Sequence, residues 1–163
     1  MLASRPRPFT SSGLRRAARP PATALRLHAQ AGVTVRSLLD DAANAGLGKV
    51  RFIVLGDGAI LESVNIFGSV RYNEVPSRGV LATVASEDKS FECHITLSKV
   101  KEVKFVKSKA KSGEYDIYAT RFLGDDSKVL MSCLLHGQQG QYDPAAVAAW
   151  TDLATKYGES VTF

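Results

Sequence analysis

The chain has 163 residues, 45% hydrophobic and 23% charged, with a net charge of +5 and a pI near 9.3. That length suffices for one domain with its own core. The basic balance points first to nucleic acid, yet residues 1–32 hold six arginines (Arg5, Arg7, Arg15, Arg16, Arg19 and Arg26) and no acid; without them 15 basic residues face 16 acidic ones, a net of −1, and no polyanion partner is indicated for the remainder.

Residues 1–32 are rich in Arg, Ala and Ser and free of acids, the composition of an organelle transit peptide. They lack the apolar run of a secretory signal, and Pro6, Pro8, Pro20 and Pro21 oppose a folded element. Chloroplast is the expected destination, with mitochondrion as the alternative that composition does not separate. No apolar run in the chain approaches the roughly 20 residues needed to cross a bilayer. The folded unit is expected over 33–163.

Val33–Leu47 reads as a short helix, with Thr34 as its cap and Gly46 and Gly48 beyond its end. Lys49–Leu55 is a β-rich run, and Gly56-Asp57-Gly58 is a hairpin signal returning the chain into Ala59–Phe67. On that second strand Ile60, Glu62, Val64 and Ile66 share one face. Val70–Val75 and Val80–Ala85 follow, separated by Pro76-Ser77-Arg78-Gly79. Phe91, Cys93, Ile95 and Leu97 then alternate with Glu92, His94 and Thr96, which sets one histidine on the polar side of a strand. Val100–Lys107, Tyr115–Leu123 and Lys128–His136 are further strands, with Lys107–Gly113 (KSKAKSG) a basic, flexible connection. A last helix, Pro144–Tyr157, starts on Asp143 and carries a stripe of Val147, Trp150, Leu153, Ala154 and Tyr157. Helix, consecutive strands, helix: the expected class is α+β, with an antiparallel sheet of seven to nine strands.

Motifs for chemistry are sparse. The chain has no GxGxxG, Walker loop, HExxH or nucleophile elbow. Cys93 and His94 are adjacent, so on a strand they face opposite ways and form neither a shared metal site nor a nucleophilic dyad. Cys93 and Cys133 fall inside strand patterns and are expected as buried, reduced thiols. His136 precedes a glycine turn and reads as a surface residue. The lysines from Lys99 to Lys111 read as a solvated face or as lysine protection of a sheet edge, with an acidic ligand group or a membrane surface as alternative partners. A non-catalytic role is therefore expected ahead of an enzymatic one.

The order FECHITLSKVKEVKFV, then RFLGDDSKVLMSCLLHG, then YDPAAVAAWTDL resembles the ChuX/HutX family of small haem-utilisation carriers, related to half of the longer HemS-type proteins. VRFIVLGDGAILE looks like the family's early hairpin, and the likeness spans about residues 48–157. The resemblance implies a curved antiparallel sheet flanked by helices, a homodimer, and haem as ligand. It assigns His94 to haem contact, because His94 matches a family histidine tied to haem; a neutral imidazole is an ordinary axial ligand for haem iron. Arg71, Arg78 and Lys99 are the candidate partners for the propionates, chosen by their place in the strand order and not by family match. A second family histidine falls at Leu55 here. Two alternatives stay beside the carrier: a haem-degrading enzyme, and a protein-interaction or assembly module on the same fold, whose mark would be exposed apolar residues.

Overall fold

The computed structural model describes residues 32–163, so the expected leader lies outside the described residues apart from Gly32. Helix α1 (Val35–Asn44) begins on a reciprocal cap: Ser37 N–H donates to Thr34 Oγ1 (3.1 Å) and Thr34 N–H donates to Ser37 Oγ (3.0 Å). Its buried side chains, Val35, Leu38, Leu39 and Ala42, recur at helical spacing.

Strands β1 (Lys49–Leu55) and β2 (Ile60–Ile66) form the expected hairpin. β3 (Val70–Val75), β4 (Gly79–Ala85), β5 (Glu92–Thr96), β6 (Glu102–Lys109), β7 (Asp116–Leu123) and β8 (Val129–Leu135) follow, then α2 (Pro144–Tyr157) and a short β9 (Ser160–Thr162). Nine strands and two helices match the expected class. Every pairing is antiparallel, in a six-stranded sheet ordered β2-β1-β8-β7-β6-β9 and a three-stranded sheet ordered β3-β4-β5.

Two local expectations are corrected. The strand expected to end at Lys107 runs on through Ser108 and Lys109, which belong to β6 and not to a flexible connection, because Lys107 and Lys109 reach Asp116 across the β6–β7 pair at 3.2 and 2.8 Å. β9 was not expected at all; it pairs with Glu102–Lys104 and covers that end of β6.

Both helices lie against one face of the large sheet. Val50, Phe52, Val103, Phe122 and Cys133 of that face are buried together with Leu38, Ala42, Trp150 and Leu153. The small sheet closes the same core through Ala82, Val84, Cys93 and Ile95. Trp150 Nε1–H donates to Thr120 Oγ1 (3.1 Å), so the one buried indole of the chain leaves no polar atom unpaired. Among the described residues no helix is long and apolar enough to cross a membrane.

Asp41 ties the two helices together. It accepts from the Lys156 ammonium and from the Tyr157 hydroxyl, and these hydrogen bonds, Lys156's the larger, hold its carboxyl below the usual carboxylate range. A depressed folded value means the stabilisation is present above the unfolded carboxylate value of about 3.9 and fades as pH falls through the folded one. Asp41→Asn is therefore expected to destabilise the fold at pH 7 by at most about 1 kcal/mol, since the pair is partly solvated. Variant and wild type should converge in urea melts as the pH falls below the depressed folded value of Asp41.

Candidate functional site

The turn before β5 fixes where its side chains fall. Asp88 Oδ1 accepts from Ser86 Oγ (2.6 Å), Ser90 Oγ (2.8 Å) and Ser90 N–H (3.1 Å). These bonds, Ser86's foremost, hold the Asp88 carboxyl down at about 2. β5 then pairs with β4 so that His94 lies opposite Thr83, and Thr83 lies opposite Arg71 on β3. Arg71, Thr83 and His94 thus form one row across the outer face of the small sheet, with Arg71 and His94 two strand spacings, about 10 Å, apart.

Within this row the imidazole is held on one side and open on the other. Thr83 Oγ1 lies 2.9 Å from His94 Nδ1, and Thr83 is only 4% exposed. His94 Nε2 lies 3.6 Å from Glu92 Oε2, while the His94 side chain keeps 52% of its surface exposed. Glu92 in turn meets Arg71, Nη2 to Oε1 at 3.5 Å. The arrangement supplies an oriented imidazole whose second nitrogen is displaceable from a loose, solvated contact, next to a carboxylate and a guanidinium.

β5 is also an edge strand, and its free edge borders an apolar cleft of about 250 Å³. Val54, Phe122, Leu130 and Met131 of the large sheet line the far side, and Lys99 stands at the cleft with His94. At its wall Cys93 Sγ–H points to Met131 Sδ at 3.6 Å. Burial pushes the Cys93 and Cys133 thiols up, and both are free, as expected of structural cysteines.

The structure therefore brings His94 together with Arg71, through Glu92, and sets Lys99 with it on the lining of the cleft. It does not bring Arg78 to them: Arg78 sits in the β3–β4 turn, where its N–H donates to Val75 O (2.9 Å), at the far end of the small sheet. Leu55 ends β1 on the face opposite Val54, partly exposed, so it does not line the cleft. Two contributors went unnoticed in the sequence, Thr83 and Met131. Thr83 lies 11 residues from His94, and only the β4–β5 register pairs them. His136 is half-buried, its N–H donating to Lys49 O (2.9 Å). Among the described residues no three His, Cys, Asp or Glu side chains converge as a metal cluster.

No family pattern matches the chain, and no curated protein does. Solved structures do. The haem-binding protein ChuX superimposes with a TM-score of 0.60 at 15% identity, over 75% of this chain and 71% of ChuX. The chain has the ChuX-type fold. A protein from Erwinia carotovora matches with a TM-score of 0.58 at 19% identity, over 74% of this chain and 70% of that one. ChuS, described as an E. coli haem oxygenase, matches with a TM-score of 0.55 at 11% identity over 74% of this chain but only 33% of its own length. Identities this low speak for the fold alone; the position of His94 between an open sheet face and the cleft is read from this chain.

Proposed function

We propose that this chain is a non-catalytic haem-binding carrier that uses His94 as its iron ligand. The observation that carries the reading is the His94–Thr83 contact at 2.9 Å, which leaves Nε2 of a half-exposed side chain with only the Glu92 carboxylate at 3.6 Å. A hydrogen bond at one imidazole nitrogen sets the tautomer and aims the other nitrogen outward, the usual arrangement behind a metal-bound histidine. The donor set fits haem: an oriented imidazole, Arg71 and Lys99 as cations for carboxylates, and apolar surface beside them. Haem would supply the iron that the imidazole binds. The fold neighbours support the reading, since ChuX and PhuS are described as haem-binding proteins. Arg78 is left out of the proposed site because of its position. Import into a chloroplast, proposed alongside, rests on the composition of residues 1–32, and the homodimer rests on the resemblance.

The test is a haemin titration of the full chain, followed at the Soret band. Wild type should shift the band with a stoichiometry of one, His94→Ala should lose the shift, and Thr83→Val should bind about tenfold more weakly because the imidazole loses its orienting partner. An unshifted band at stoichiometric haemin would sink the proposal, as would unchanged binding by His94→Ala. The likeness to ChuS favours one second reading, haem degradation. Ascorbate added to the complex separates the two: a carrier keeps its Soret band, whereas degradation bleaches it and yields a bile pigment.

A further inference from the structure

Cys93 and Met131 face each other where the small sheet meets the large one. Cys93 Sγ lies 3.6 Å from Met131 Sδ, and the two residues are 8% and 4% exposed. Both line the apolar cleft beside β5, so the pair is reached from outside although it is nearly buried. As a hydrogen bond the contact is feeble, since a thiol donates weakly and a thioether accepts weakly. Thiolate and thioether are, however, the protein ligands that soft metal ions prefer. Neither sulfur has a part in the haem reading.

The spacing suits an ion between them. A metal bonded to sulfur at about 2.3 Å with tetrahedral angles holds two sulfurs about 3.8 Å apart. Charge decides which ion. Among the described residues no carboxylate lines the cleft, and Lys99, the one Lys or Arg on its lining, is exposed to water. Mg²⁺ and Ca²⁺, which take carboxylate oxygens, find no counter-charge there. Any divalent ion on one thiolate would leave a positive charge against Val54, Phe122 and Leu130, which cannot solvate it. A monovalent ion on one thiolate is neutral.

We propose that Cys93 and Met131 bind one Cu(I) ion at the wall of this cleft. On binding, the Cys93 thiol gives its proton to water and the S–Cu bond forms. Met131 lends a lone pair and loses no proton. The ion keeps its oxidation state, so no electron is transferred. Cys133 stands two residues from Met131 on β8, but it lines the core with Leu38 and Trp150 and not the cleft. His94 follows Cys93 and presents its side chain on the opposite face of β5. The pair is thus set apart from the other thiol and from the imidazole.

Cu(I) offered to the full chain as its coloured bicinchoninate complex, in anaerobic buffer, tests the assignment. Wild type should withdraw one Cu(I) per chain and bleach the complex. Cys93→Ala should withdraw none. Met131→Leu keeps the side-chain volume and should bind about tenfold more weakly, and it decides the matter if Cys93→Ala fails to fold. Cys133→Ala and His94→Ala should each bind Cu(I) as wild type does. A wild type that leaves the complex coloured overturns the proposal. So does a folded Cys93→Ala or Met131→Leu variant that binds as tightly as wild type, and so does loss of the ion from a folded Cys133→Ala or His94→Ala variant. The haemin titration reads the other face of β5, so each result stands without the other.

Discussion

Phe52→Ala should remove about 3–5 kcal/mol of stability. Phe52 is fully buried in the middle of β1, between β2 and β8. Its ring lies 5.7 Å from Phe67 and 4.8 Å from Phe91. Phe67 ends the first hairpin and Phe91 leads into the His94 strand, so one side chain fastens the small sheet to the large one. Truncation removes the transfer free energy of the ring and leaves a cavity that two sheets and two helices cannot jointly collapse. Urea unfolding followed through Trp150, the one tryptophan, reports it, because that ring is buried 5.3 Å from Tyr118 and 5.9 Å from Phe105. Phe52→Leu should recover more than half of the loss. A cost below about 1 kcal/mol for the alanine variant would show that Phe52 is not the joint between the sheets.

Gly140→Ala should cost about 3 kcal/mol although it adds one methyl group on a loop. Gly140 has φ +78, in the left-handed region that a side chain disfavours. An added Cβ would also lie 2.2 Å from Tyr115 Cβ and 2.4 Å from Tyr115 Cγ. Neither atom is the far end of a flexible side chain, so the backbone of one loop must move. Gly113 separates the two effects. Its φ is +77, but an added Cβ would meet nothing within 4 Å. Gly113→Ala should therefore show the conformational cost alone, about 1 kcal/mol. Equal thermal midpoints for the two variants would remove the steric argument.

Much of this fold is legible in the sequence because the elements are short and strongly patterned. Lys49–Leu55, Val70–Val75 and Pro144–Tyr157 form at the residues their patterns indicate, since turn residues or caps bound each run. The alternation around His94 also gives the right faces: Cys93 and Ile95 are buried, and Glu92 and His94 are exposed. Periodicity assigns a face but not a neighbour. Nothing local separates β3–β5 from the larger sheet, and nothing local matches Thr83 to His94. Arg78 was grouped with His94 by its place along the chain, whereas the β3–β4 hairpin carries it to the opposite end. β9 escaped because three residues after Gly158 are too few to show alternation. Ser108 and Lys109 looked like loop residues until the β6–β7 register carried the strand on to Asp116.

The two margins of the six-stranded sheet are unlike. Along β6 the first three residues are covered by β9, and the stretch beyond carries Lys107 and Lys109. Lysine on such a margin discourages a further strand, because a newcomer would have to bury or displace its charge. The short tail after α2 therefore closes part of a sheet margin that would otherwise lie open, as well as adding Val161 to the core.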